Sequence, residues 1–159
     1  MTEFTTPIGD RWFEDYPLGA VYEFGDVTVT EAEIVEFARR FDPQSFHVDP
    51  VVAKSGPFGG LIASGWHTAS LMMRMFADHY LSSVASLGSP GMDELRWPRP
   101  VRPGDRLHMR ATVTEARLSK SKPDRGLVRT RMEVFTADDE LVLSGSAVNF
   151  LSVRPATSR

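Results

Sequence analysis

Asp42 and His47 stand five residues apart in the segment Phe41-Asp42-Pro43-Gln44-Ser45-Phe46-His47, and Gly65 follows His47 by eighteen residues at the head of a strongly apolar stretch. A carboxylate and an imidazole at this spacing can hold one water between them and exchange protons with it. A helix that begins at Gly65 would add free backbone N–H groups, at the positive end of its dipole, for an oxygen that becomes negative as a reaction proceeds. Acid, base and oxyanion donor together are the equipment for moving protons next to a carbonyl.

Each of these residues also has a purely structural reading. Asp42 could cap a helix end or a turn, His47 could be a core histidine between Phe46 and Val48, and Gly65 could be a close-packing point between a helix and a sheet. His67, one turn into the apolar stretch, reads as packed or hydrogen-bonded; His79 and His108 are assigned no role. Ser64 and Ser70 invite a nucleophile reading, but no Gly-x-Ser-x-Gly elbow is present. The four histidines, at 47, 67, 79 and 108, form no short-range ligand pair, so no metal is expected. The glycines from Gly56 to Gly65 match neither the dinucleotide fingerprint nor the P-loop, and no bound cofactor is expected.

Composition narrows the function classes. A chain of 159 residues with 42% hydrophobic content reads as one globular domain with a real core. Its 18 basic and 21 acidic residues give a formal net charge of −3, without the basic footprint of a nucleic-acid binder. The absence of cysteine removes disulfides, thiolate metal sites and thiol nucleophiles together, and suits a cytoplasmic protein. Met1 to Asp10 carries no basic segment followed by an apolar run, and the region from about 61 to 77, which contains Trp66, His67 and Arg74, is too short and too polar to span a bilayer. Neither a membrane nor a nucleic acid is an expected partner.

The elements that must position the site follow from pattern. Ala20 to Phe24 reads as a strand. Thr30 with Glu33 is a capping box, and Ile34, Val35, Phe37, Ala38 and Phe41 mark the apolar face of the helix it starts. Pro43 ends that helix at Phe41 or Asp42, which leaves the Asp–His segment in a loop. Asp49-Pro50 is a second helix start, N-cap then Pro at N1, for a short turn ending near Gly56. From Gly65 to about Leu81 a helix is apolar on nearly all sides, which places it inside something. Four strand-like runs follow, Met92 to Trp97, Arg106 to Leu118, Leu127 to Phe135 and Leu141 to Leu151, separated by turn-rich clusters that predict antiparallel neighbours. Leu107, Met109, Ala111 and Val113 alternate with Arg106, His108, Arg110 and Thr112, giving one buried and one wet face. The fold class is therefore α+β, an antiparallel sheet wrapped around a long central helix.

Asp42-x-Gln44-x-x-His47 resembles the Asp-x-Asn-Pro-x-His motif of the MaoC-like dehydratases and R-specific enoyl-CoA hydratases, and Gly60-Leu61-Ile62-Ala63-Ser64-Gly65 is similar to that family's oxyanion segment. The stretches Pro100-Val101-Arg102-Pro103-Gly104-Asp105 and Ser119-Lys120-Ser121-Lys122-Pro123-Asp124-Arg125-Gly126 also look family-like. The resemblance covers roughly residues 15 to 152 and departs from the motif at Gln44, where the family has Asn, and at Ser45, where it has Pro. It implies a single hot dog domain, 1–159, and a hydro-lyase that interconverts a 2-enoyl-CoA and an (R)-3-hydroxyacyl-CoA. Asp42 and His47 would be the catalytic pair, His47 as base, with Gly65 as oxyanion donor and Gln44 as a supporting carboxamide on the loop or the thioester. A homodimer with its acyl tunnel near the interface is implied as well. A hot dog thioesterase or a non-catalytic acyl-CoA-binding module are the alternatives. The basic group Arg117, Lys120, Lys122, Arg125, Arg129 and Arg131 reads as a solvated sheet edge, or as contacts for the phosphates of coenzyme A.

Overall fold

Thr30 and Glu33 form the expected reciprocal cap: in the computed structural model, which describes residues 1–157, each side chain accepts from the other's backbone N–H at 3.2 Å. The last two positions of the span expected for the domain lie outside the described residues. The cap starts α1 (Glu31–Phe41), which follows β1 (Val21–Thr28) and buries Ile34 and Ala38. Two short helices come next, α2 (Ser45–Val48) and α3 (Pro50–Lys54), and then the long helix α4 (Gly65–His79).

Helix α4 buries His67, Thr68, Met72, Met75 and Phe76, but Trp66 is 59% and Met73 46% exposed. The expectation of burial on all sides is corrected here. One sheet can cover only one side of a helix, so the outer apolar stripe of α4 stays open. Its C-terminal end is tied down by Arg11, a buried cation that donates to the carbonyls of His79 and Tyr80 at 2.9 and 2.8 Å and to that of Thr6 at 3.0 Å. The guanidinium meets the negative end of the helix dipole and lies over the Phe4 ring, 3.4 Å from its centroid.

Four further strands, β2 (Gly91–Arg96), β3 (Arg106–Leu118), β4 (Arg125–Thr136) and β5 (Leu141–Ser152), join β1 in one antiparallel sheet of order β1-β3-β4-β5-β2. Leu107, Met109, Ala111 and Val113 are buried, as the alternation predicts, and share the core with Met132, Val134, Leu143, Met75 and Phe76. Tyr80 closes the core with its hydroxyl 2.9 Å from Thr130 Oγ1. A sheet wrapped around one long helix is the hot dog fold of the α+β class. One pairing differs from expectation: β2 and β3 are consecutive but not neighbours. Pro98, Pro100 and Pro103 supply no N–H for a hairpin ladder, and β2 pairs with β5 at the opposite part of the sheet while the 97–105 segment crosses to α4.

Candidate active site

Three chain segments meet at the N-terminus of α4. Ile62 N–H donates to the Phe46 carbonyl at 3.1 Å and Ala63 N–H to the Val101 carbonyl at 2.9 Å, which stitches the 61–64 segment to α2 on one side and to the 97–105 segment on the other. Asp42 follows the last residue of α1, its backbone N–H bonded to the Ala38 carbonyl at 2.8 Å. His47 sits on the single turn of α2 rather than in an open loop. The Gln44 carbonyl accepts from both His47 and Val48 N–H groups, at 2.9 and 3.2 Å, and this closes the turn. Asp49 caps α3 by accepting from Val51 and Val52 at 3.0 and 3.1 Å, with Pro50 at the first helical position, as the sequence predicts.

The imidazole of His47 is buried and its Nδ1 lies 2.7 Å from the Ile62 carbonyl oxygen. A carbonyl only accepts, so Nδ1 donates its proton there, and Nε2 is the ring nitrogen turned toward Asp42. Nε2 is 3.3 Å from Asp42 Oδ2. Both carboxylate oxygens hold donors: Gln44 Nε2 donates to Oδ1 and Ser64 Oγ to Oδ2, each at 2.7 Å. Burial acts to raise the Asp42 pKa, yet the hydrogen bonds from Gln44 and Ser64, with the charge interaction of His47, outweigh it and hold the carboxyl below its ordinary value. The pair is thus an ionised acceptor facing an imidazole nitrogen.

A cleft of about 340 Å³ opens beside this pair, lined by His47, Phe46, Phe58, Gly65, Thr68 and Trp97 together with Pro98, Pro100 and Val101. Gly65 is the first residue of α4, and its N–H belongs to the four that a helix start leaves without an intrahelical acceptor. A wider groove of about 870 Å³ between α1 and α3, lined by Glu31, Glu36, Arg39 and Arg40 among others, has no imidazole at it. The chemistry-bearing residues are at the smaller cleft. Of the four residues singled out in the sequence, His47 and Gly65 line this cleft, while Asp42 stands behind His47 at 3.3 Å and Gln44 bonds Asp42.

The model of the MaoC like domain matches residues 15–135. The chain belongs to the MaoC-like family. It is similar to the MaoC-like dehydratase from Rhodospirillum rubrum, at 38% identity and a TM-score of 0.85, over 92% of this chain and 99% of that one. It is also similar to R-hydratase PhaJ1 from Pseudomonas aeruginosa, at 27% identity and a TM-score of 0.71, over 93% of each chain. The 3-hydroxyacyl-thioester dehydratase Z of Mycobacterium tuberculosis is 30% identical over 128 residues, which are 79% of this chain and 85% of that protein.

Within this MaoC-like chain the two departures from the hydratase motif are accommodated. The longer Gln44 side chain still brings its carboxamide to Asp42, and Ser45 takes the first position of α2 without loss of the turn. His67 is packed, as expected, with its ring stacked on Phe37 at 4.8 Å and 9°. Burial pushes its pKa below the usual imidazole value, against the charge of Glu33, and its Nδ1 has no hydrogen-bond partner.

The basic hairpin of this MaoC-like protein is largely self-neutralised. Arg117 pairs with Glu115, Arg125 with Asp124, Arg129 with Asp93 and Glu115, and Arg131 with Glu133. Its tip follows the far end of β3 from the 97–105 segment, so within one subunit it is remote from the cleft.

Two participants escaped the sequence reading, and Ser64, which the sequence offered only as a discounted nucleophile, is a cap and a donor to Asp42 instead. The Ile62 carbonyl is a backbone group with no mark in the residue type, and Trp97 carries no signal of its own. Ser64 does carry one, since a serine directly before an apolar periodic stretch is a helix N-cap, and its Oγ accepts from the Trp66 N–H at 3.2 Å.

Proposed function

We propose that this protein is a hydro-lyase that adds water to a 2-enoyl-CoA thioester to give an (R)-3-hydroxyacyl-CoA, or runs the reverse dehydration, in a single hot dog domain and without a bound cofactor. The observation that carries this reading is the 3.3 Å approach of His47 Nε2 to Asp42 Oδ2 beside the Gly65 end of α4. In hydration, Nε2 removes a proton from a water held between the pair as the water oxygen bonds to the β carbon. The electrons of the double bond move toward the thioester oxygen, which the Gly65 N–H receives; one such donor contributes on the order of 3 kcal/mol to a transition state. The proton then returns from the pair to the α carbon. Asp42, kept ionised by Gln44 and Ser64, orients the water and balances the imidazolium. The names of the R-hydratase and of the 3-hydroxyacyl-thioester dehydratase support the same chemistry.

A homodimer in the cytoplasm belongs to this reading. The exposed Trp66, Met73 and Phe41 form an apolar face beside the site, and β2 leaves one edge of the sheet unpaired. A second copy of the chain fits both. Among the described residues no helix is long and apolar enough to cross a membrane.

The test is loss of enoyl absorbance with crotonyl-CoA and a panel of longer and branched enoyl-CoAs, with free thiol followed in parallel and with His47→Ala and Asp42→Asn as controls. Loss of the double bond without thiol release, abolished in both variants, is the expected result. Thiol release alone would move the protein to the thioesterases, and inactivity across the panel would overturn the hydratase reading.

A further inference from the structure

Ser64 is fully buried and its hydroxyl is committed twice. Its single proton goes to Asp42 Oδ2 at 2.7 Å, and its oxygen accepts the Trp66 N–H at 3.2 Å. A hydroxyl has one donor, so no proton remains for any other acceptor. The same Oδ2 faces His47 Nε2 at 3.3 Å, while the neighbouring Gly65 opens the helix. Asp42 and Gly65 come from segments more than twenty residues apart, and Ser64 is the side chain that spans them.

We propose that Ser64 is a positioning residue that locks the carboxylate of Asp42 to the first turn of α4, so that the acid–base pair and the Gly65 N–H are held in one fixed geometry. The proposal rests on the hydratase reading for its catalytic consequence, but the Ser64–Asp42 link itself does not. The helix dipole backs the carboxylate through this hydroxyl: the positive N-terminus polarises Oγ, and Oγ–H stabilises the negative charge on Oδ2. With the bond present Asp42 is free to hold water through its remaining lone pairs. Without it the carboxylate can turn away from Nε2, and its proton affinity rises.

Two substitutions separate this role from helix capping. Glycine is tolerated at an N-cap almost as well as serine, so Ser64→Gly removes the bond to Asp42 while α4 keeps its start; Ser64→Thr retains the hydroxyl. In a pH titration of the Asp42 side-chain carboxyl followed by carbon NMR, the midpoint is expected to rise in Ser64→Gly and to stay at the wild-type position in Ser64→Thr. For turnover of the enoyl-CoA that wild type hydrates best, kcat is expected to fall about ten-fold in Ser64→Gly at little change in KM, with the acidic limb of kcat/KM displaced to higher pH and activity recovered in Ser64→Thr. An unmoved Asp42 midpoint in folded Ser64→Gly would overturn the proposal. So would an equal loss in folded Ser64→Gly and Ser64→Thr. Should the wild type hydrate no thioester, the hydratase reading fails, and the NMR titration still decides the link.

Discussion

Trp97 lies flat against Gly65: a Cβ built on the glycine would stand 2.5 Å from indole Cε2 and 2.6 Å from Cδ2. The indole is braced edge-on by Trp66, with ring centroids 5.1 Å apart. Gly65 is therefore required by contact, not by backbone dihedral angle. The wall of the cleft and the first residue of α4 are packed against each other with no room for a side chain between them.

Gly65→Ala follows directly. The methyl group displaces the Trp97 ring and shifts the first turn of α4, and misplacement on this scale costs roughly ten- to a hundred-fold in kcat. Helix stability should change little, because alanine is the better helix former. Replacing Trp97 by Ala in the Gly65→Ala background gives the methyl its space, so part of the lost activity should return. Steady-state kinetics on the four members of the cycle test this; additive losses would separate the two residues.

His67 supplies a pH prediction. Its folded pKa is depressed below 6.5 by burial, so the unfolded chain binds the proton more readily than the folded one. The sign is that stability present above pH 6.5 is lost as pH falls through the depressed folded pKa. Asp42, held below its ordinary 3.8, adds a second loss in the same direction at more acid pH. His67→Phe keeps a flat ring against Phe37 and removes both the titration and the unpartnered Nδ1. Urea midpoints measured from pH 7.5 downward should fall less steeply below pH 6.5 in this variant; the wild-type slope in both proteins would place the titrating group elsewhere.

How much of this was legible in the sequence depends on how local each signal is. The Thr30–Glu33 cap, the Asp49-Pro50 start and the Leu107-to-Val113 alternation depend on residues within a few positions, and each lies where the pattern puts it. The site residues carried a motif as well as chemistry, and the structure links Gln44 to Asp42 and Asp42 to His47, with His47 and Gly65 lining one cleft. The place of β2 beside β5 was not legible, because strand order is decided by packing across the whole sheet. Arg11 gave no warning either: a lone arginine reads as surface, and only the fold brings the end of α4 to it. The all-round apolar pattern of α4 could not say whether its outer stripe meets its own core or another chain.

That outer stripe gives the test of assembly. Trp66 and Met73 occupy exposed positions on α4, and neither contributes a polar group to the cleft. Trp66→Lys with Met73→Lys places two charges on the face assigned to a second copy, where like charges cannot be neutralised. Sedimentation should give a dimer for the wild type and a monomer for the double variant with its circular dichroism unchanged. A wild-type monomer would remove the homodimer from the proposed function.

The basic hairpin is the last part of the surface with a functional alternative. Four of its six cations are already held by carboxylates, while among the described residues Lys120 and Lys122 make no ion pair, so these two are the side chains free to meet a phosphate. The hairpin is remote from the cleft of its own subunit, and a dimer is the arrangement in which it can approach a partner's site. If it binds coenzyme A phosphates, Lys120→Glu with Lys122→Glu raises KM for an enoyl-CoA at low salt, and the difference shrinks as salt screens exposed charges beyond about 10 Å at 0.1 M ionic strength. kcat should be untouched, since neither lysine meets the reacting atoms. An unchanged KM at low salt would leave the hairpin as a charged edge that discourages strand addition.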